Sequence, residues 1–166
     1  FPVAIPCYMN YSSSCKTEEA METVSVRETS IKYGRTIEAP ARITAPDDIA
    51  EMVREIVEND AREHFVVIHL DVRSQVIGYQ IVSIGTANSA IVHPREVFQA
   101  AIHIGAVSIA VAHNHPSGIA SPSSQDEGVT KRLAEAGEIL GIPVIDHVVV
   151  SDSDFYSFRT ETDMLD

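Results

Sequence analysis

The apolar run Val107-Ser108-Ile109-Ala110-Val111 leads directly into Ala112-His113-Asn114-His115, and the segment Pro116 to Ser124, rich in Pro, Ser and Gly, separates it from Asp126. A short apolar run between Gly105 and a turn-rich segment reads as a buried strand. If that strand continues through the histidines, His113 and His115 stand two residues apart and point to the same face. The loop then turns into a helix near Ser123 or Ser124, with Asp126 in its first turn. Strand, loop and helix so arranged bring two imidazoles and a carboxylate together. That donor set suits Zn2+, about one ion per chain, and leaves a fourth position open to water. Taken singly, loop histidines and an acid at a helix start are commonplace. What singles out this set is four residues of defined type at defined spacing: His-x-His, seven residues, Ser, two residues, Asp. A structural zinc usually wants a fourth protein ligand, often Cys, and Cys7 and Cys15 are far off in the chain, so the open position favours catalysis.

The elements around this unit follow from period and punctuation. Residues 1–22 show no clear period and read as an extended or partly disordered arm. Alternation over 23–41 suggests one or two edge strands. Thr44-Ala45-Pro46-Asp47-Asp48 reads as a helix start with Thr44 as the capping hydroxyl. Ile49, Met52, Val53, Ile56 and Val57 form its apolar stripe up to an end near Asn59-Asp60. Phe65 to Leu70, the turn Asp71 to Ser74, and Val76 to Ser83 make a hairpin. Beyond the loop from Ser83 to Ser89, His93-Pro94 opens a second helix through Ile104. The third helix carries a stripe of Val129, Leu133, Ala136 and Leu140, and Gly141 and Pro143 end it. Val144 to Val150 is a further strand and Phe155 to Phe158 a short last one. Alternating strands and helices from residue 42 to 164 describe one α/β domain, a sheet flanked by helices.

Charge narrows the functional classes. With 12 basic and 24 acidic residues the formal net charge is −12, which argues against a broad phosphate-binding face and against strong nucleic-acid binding. No apolar run is long enough to span a membrane. The first residues lack the pattern of a signal peptide, and two cysteines make no disulfide framework, so a cytoplasmic location is expected. Oligomeric state is not legible.

The motif His113-x-His115, Ser123, Asp126 matches the JAMM metalloprotease signature. With Val92-His93-Pro94-Arg95-Glu96-Val97-Phe98, His113-Asn114-His115-Pro116-Ser117-Gly118 and Asp146-His147-Val148, the chain resembles the RadC-like branch of the JAB/MPN family from about residue 40 to 160. The resemblance implies a mixed, curved sheet like that of cytidine deaminases. It implies a zinc hydrolase acting on peptide, isopeptide or related amide bonds of a peptide or protein substrate. His113, His115 and Asp126 would be the ligands. Glu63, just before the first core strand, would be the general base; spacing alone does not single it out, and Glu55, Glu58 and Glu96 are weaker candidates. Ser123 would donate to the oxyanion. Read from its position, Ser123 is equally a helix N-cap, and Ser124 with Glu127 offers a competing capping box.

The remaining histidines, His64, His69, His93, His103 and His147, read individually as structural or solvated. His93 and Asp146-His147 fall in the words that carry the resemblance, which leaves a supporting or substrate-facing role open to them. Metal-bound histidines commonly need an outer partner to fix their tautomer, and the sequence does not name it. Asn114, between the ligands, should face away from the metal. The deaminase pattern of His-x-Glu with Pro-Cys-x-x-Cys is absent. The consecutive letters His-Asn-His are not the dispersed motif of HNH nucleases. A second reading is a non-catalytic, metal-containing module that associates with DNA repair or replication partners. Metal-dependent nuclease activity is a third, and leaves Glu63 and Ser123 without a role.

Overall fold

A computed structural model describes residues 32–58, 61–85 and 92–165. The arm expected over 1–22, both cysteines and Asn59-Asp60 lie outside them. Of the edge strands expected over 23–41, residues 32–41 show none, and an isolated bridge joins Arg42 to Gln75.

Helix α1 (Pro46–Val57) has Ala45 as N-cap, which offers no side-chain bond. Asp48 supplies the missing acceptor: its Oδ2 takes hydrogen bonds from Thr44 N at 2.6 Å, Thr44 Oγ1 at 2.9 Å and Ala45 N at 3.0 Å. The Thr44 hydroxyl therefore donates to Asp48 and does not cap the helix, contrary to expectation. One carboxylate reaching back satisfies more donors than a hydroxyl can, and it sits at the positive end of the helix. These bonds hold the Asp48 carboxyl below its ordinary range. The expected stripe, Ile49 to Val57, is buried.

Strand β1 (Glu63–Leu70) returns through a turn as β2 (Val76–Gly85). Asp71 Oδ1 closes that turn by accepting from Arg73 N and Gln75 N, both at 2.8 Å. Strand β2 runs on through Gly85, past Ser83 where a loop was expected to begin, and residues 86–91 lie outside the described ones. Helix α2 (Pro94–Ile104), strand β3 (Ser108–Asn114), helix α3 (Ser124–Leu140), strand β4 (Val144–Val150), strand β5 (Phe155–Ser157) and the short helix α4 (Phe158–Glu161) follow. Phe158, expected to end the last strand, instead begins α4.

The strands form one mixed sheet in the order β2-β1-β3-β4-β5. Only β3 and β4 are parallel, and helix α3 is the crossover between them. Both faces are covered, which explains why the middles of β1 and β3, Phe65 to Ile68 and Ile109 to Ala112, are unbroken apolar runs. Val66, Ile68, Leu70, Ala110 and Ala112 pack with α1, while Phe65, Val67, Ile109 and Val111 pack with α2 and α3.

A register shift in the β3–β4 pairing, between Ile109 and Ala110, changes which side β4 presents. Val144 belongs to the α2/α3 cluster, whereas Val148 and Val150 belong to the α1 cluster. Even spacing in an unbroken strand would put all three on one face. The irregularity reverses the parity and turns His147 to the same side as His113.

Helix α3 packs closely against the β4 entry. A Cβ on Gly137 would stand 2.7 Å from Ile142 O and 3.4 Å from Val144 N. Gly141, at φ 67°, ends the helix in the left-handed conformation as expected. Leu140, expected in the apolar stripe, is 45% exposed, because the buried face turns through Val129, Thr130, Leu133 and Gly137. No helix among the described residues is long and apolar enough to cross a membrane.

Candidate metal centre

His113 is the penultimate residue of β3 and 1% exposed, with its ring stacked on Phe65. His115 follows the strand. Its backbone N–H still bonds to Val150 O at 2.7 Å, so it keeps the alternation and points to the side of His113. The loop after it turns back at Gly118 (φ 80°), and Ile119 O comes within 2.8 Å of His115 Nδ1. A carbonyl only accepts, so His115 Nδ1 carries the hydrogen and its Nε2 is a bare lone pair in the neutral ring.

Asp126 arrives from the first turn of α3. Ser123, not Ser124, is the N-cap, and the capping box is Ser123 with Asp126. Asp126 Oδ2 accepts from Ser123 N at 2.7 Å and Ser123 Oγ at 2.6 Å, which leaves Oδ1 turned inward, 3.3 Å from His113 Nε2. Burial alone would raise the Asp126 carboxyl, but the His113 ring beside it and the hydrogen bonds it accepts from Ser123 N and Oγ hold it well below the ordinary carboxylate range. It is ionised at any ordinary pH.

The three side chains bring one ligand atom each within 4.8 Å of one another. The two histidine Nε2 atoms are 3.1 Å apart. Two imidazole nitrogens and a carboxylate oxygen converging this closely are a donor set that fits a divalent cation.

The site opens onto a cleft of about 410 Å³ lined by Glu63, Phe65, Ser83, His115, Ser123 and Asp126, among others. Glu63, Ser123 and two of the three candidate ligands thus share one cavity. Glu55, Glu58 and Glu96 do not line it; Glu58 pairs instead with Arg35. His93 is exposed as the N-cap of α2, and His103 bonds within that helix.

Two features lay beyond sequence reasoning. Asn114 does face away from His113, but it has a task. The β1–β3 ladder ends at Phe65–His113, and beyond it Asn114 Oδ1 accepts from His64 N at 2.7 Å while Asn114 Nδ2 donates to Arg62 O at 2.9 Å. The amide side chain therefore grips the backbone on both sides of Glu63. The second feature is a buried line behind His113. His113 Nδ1 lies 2.9 Å from His147 Nε2, His147 Nδ1 lies 2.6 Å from Thr130 Oγ1, and Thr130 Oγ1 donates to Asp126 O at 2.7 Å. Thr130 is four residues beyond Asp126 and beside Val129 on the buried stripe. A hydroxyl at that position was the available signal.

Residues 43–163 match the model of the RadC-like JAB domain. The chain belongs to that family. Among its relatives, a UPF0758 protein of Desulforamulus reducens is 43% identical over 136 residues, 79% of this chain and 60% of that protein. Another, from Caldanaerobacter subterraneus, is 50% identical over 110 residues, 66% of this chain and 47% of that protein. A third, from a Geobacillus species, is 48% identical over 117 residues, 70% of this chain and 52% of that protein. The chain spans roughly half to three fifths of these relatives' length, and their names state no reaction. A mixed sheet flanked by helices is the RadC-like JAB architecture, in agreement with the expected fold class.

Proposed function

We propose that this RadC-like JAB domain is a zinc-dependent hydrolase of the JAMM type that cleaves a peptide, isopeptide or related amide bond. The observation that carries the reading is the convergence of His113, His115 and Asp126 at a cleft onto which Glu63 and Ser123 also open. His113 Nε2, His115 Nε2 and Asp126 Oδ1 would hold the ion. Zinc in that position supplies Lewis acidity and brings the pKa of a coordinated water toward neutrality.

The chain's own groups then carry the proton and the developing charge. Glu63 takes a proton from the attacking water as its oxygen bonds to the carbonyl carbon. The Ser123 hydroxyl turns from Asp126 Oδ2 and donates to the carbonyl oxygen as that oxygen becomes anionic. Glu63 returns the proton to the leaving nitrogen as the C–N bond breaks. Asn114 keeps the base in place through its two backbone bonds.

Charge supports this reading over the DNA-associated ones. The described lining of the cleft contains no Lys or Arg, and the whole chain carries −12. The test is hydrolysis of a panel of peptides and lysine-linked isopeptides by the zinc-loaded chain, read by mass spectrometry. Chelator-sensitive cleavage that disappears in Glu63→Gln supports the proposal. Zinc binding with no cleavage of any amide, together with salt-dependent DNA affinity, would favour the non-catalytic module.

A further inference from the structure

We infer that Thr130 and His147 are positioning residues that set the tautomer of His113, so that its Nε2 is presented bare to a divalent cation. The inference rests on the metal-site reading above and extends it to a part of the chain that touches neither ion nor substrate.

Hydrogen placement decides the tautomer. Thr130 Oγ1 stands between two heavy atoms, Asp126 O at 2.7 Å and His147 Nδ1 at 2.6 Å, and has one hydrogen to give. A carbonyl oxygen has none of its own, so the hydroxyl hydrogen goes to Asp126 O. His147 Nδ1 must then bring the hydrogen for its contact, and the neutral ring is left with a bare Nε2. That atom lies 2.9 Å from His113 Nδ1. A hydrogen is needed between them, and only His113 can supply it. With its hydrogen on Nδ1, neutral His113 turns a bare Nε2 toward His115 and Asp126. A single helix carbonyl, through one hydroxyl and one ring, thus dictates which nitrogen of His113 is free.

The surroundings make this order hard to reverse. Thr130 and His147 are fully buried and His113 is 1% exposed, so no water substitutes for a misplaced hydrogen. Phe158 stacks on His147 at 4.9 Å and Phe65 meets it edge-on at 5.6 Å, which opposes a ring flip that would exchange its nitrogens. A second proton on His147 would sit on Nε2 and force the His113 hydrogen onto the ligand atom. The same hydroxyl binds the backbone of Asp126, so the line ties together the strand that bears one ligand and the helix that bears another.

The experiment compares the wild-type chain with Thr130→Val, which keeps the shape and loses the hydroxyl, and Thr130→Ser, which keeps it. Zinc affinity is read by competition with a chromophoric chelator. Thr130→Val should bind zinc roughly 10–100-fold more weakly, the range for lost outer-shell partners, and Thr130→Ser should stay within a few-fold of wild type. Nitrogen NMR of imidazole-labelled wild type, with zinc, should place the His147 hydrogen on Nδ1. That spectrum decides the matter even if Thr130→Val does not fold. Equal zinc affinity in a folded Thr130→Val, or a His147 hydrogen on Nε2, overturns the relay while the metal site stands. Absence of zinc binding in the wild type overturns the metal reading itself, and the relay's purpose with it.

Discussion

Replacing Asn114 by Ala separates the grip on the proposed base from the grip on the metal. The substitution removes two hydrogen bonds, one accepted from His64 N at 2.7 Å and one donated to Arg62 O at 2.9 Å, at the point where the β1–β3 ladder has already ended. Each such bond contributes about 1 kcal/mol net, so the folded state should lose about 2 kcal/mol. For a domain of this size that corresponds to a drop of roughly 4–8 °C in Tm. The loss is local: the first residues of β1 should fray, and amide exchange at His64 should accelerate while that of Val67 and Ile68 stays slow. Glu63 lies between the two released groups, so hydrolysis should fall, through kcat more than through KM, while zinc affinity holds within a few-fold. Asn114→Asp keeps the acceptor for His64 N and loses the donor to Arg62 O, and should be intermediate. The reasoning would be refuted by an Asn114→Ala variant that loses zinc as Asp126→Ala does while His64 exchange is unchanged.

Three further outcomes follow from the packing and the buried charges. Gly137→Ala should destabilise by about 1–3 kcal/mol in urea unfolding despite Ala being the better helix former, because its Cβ would press on backbone atoms of Ile142 and Val144; a stabilised variant would show that α3 shifts freely. Asp48→Ala should cost about 1 kcal/mol by leaving Thr44 N and Ala45 N without their acceptor, and the wild-type advantage, carried by a carboxyl held below its ordinary range, should fade as pH falls through the acid range where Asp48 takes up its proton. Burial pushes His69 down to about 4 from an ordinary 6.5. The unfolded chain takes up that proton first, so stability present above pH 6.5 is lost as pH falls toward 4, by about 3 kcal/mol. His69→Leu should flatten that part of the pH–stability curve, and an unchanged slope would contradict the assignment.

Much of the site could be read from residue order because its parts are local. His113 and His115 share a strand face by simple alternation, and Asp126 lies in the first turn of the next helix. Glu63 is different: nothing in its own neighbourhood distinguishes it, and it was reached only through the family resemblance. Asn114 and His147 act across 50 and 34 residues of chain respectively, which no local period reports. His147 is further hidden by the register shift in the β3–β4 pairing, since straight alternation from Val144 would turn it to the face opposite His113. The misreading at the start of α1 and the choice left open at the start of α3 have a common cause. Thr44 and Asp48, or Ser124 and Ser123, compete for the same few N–H groups, and the outcome depends on side-chain geometry of about an ångström. The early alternation over 23–41 carried no comparable constraint, because no burial partner was identifiable for it.

Elemental analysis of the purified chain beside Asp126→Ala shows whether His113, His115 and Asp126 form a metal site. About one zinc per chain in the wild type, lost in the variant, is the expected result. No zinc in the wild type after zinc is supplied and the excess removed, or equal zinc in both proteins, would contradict it.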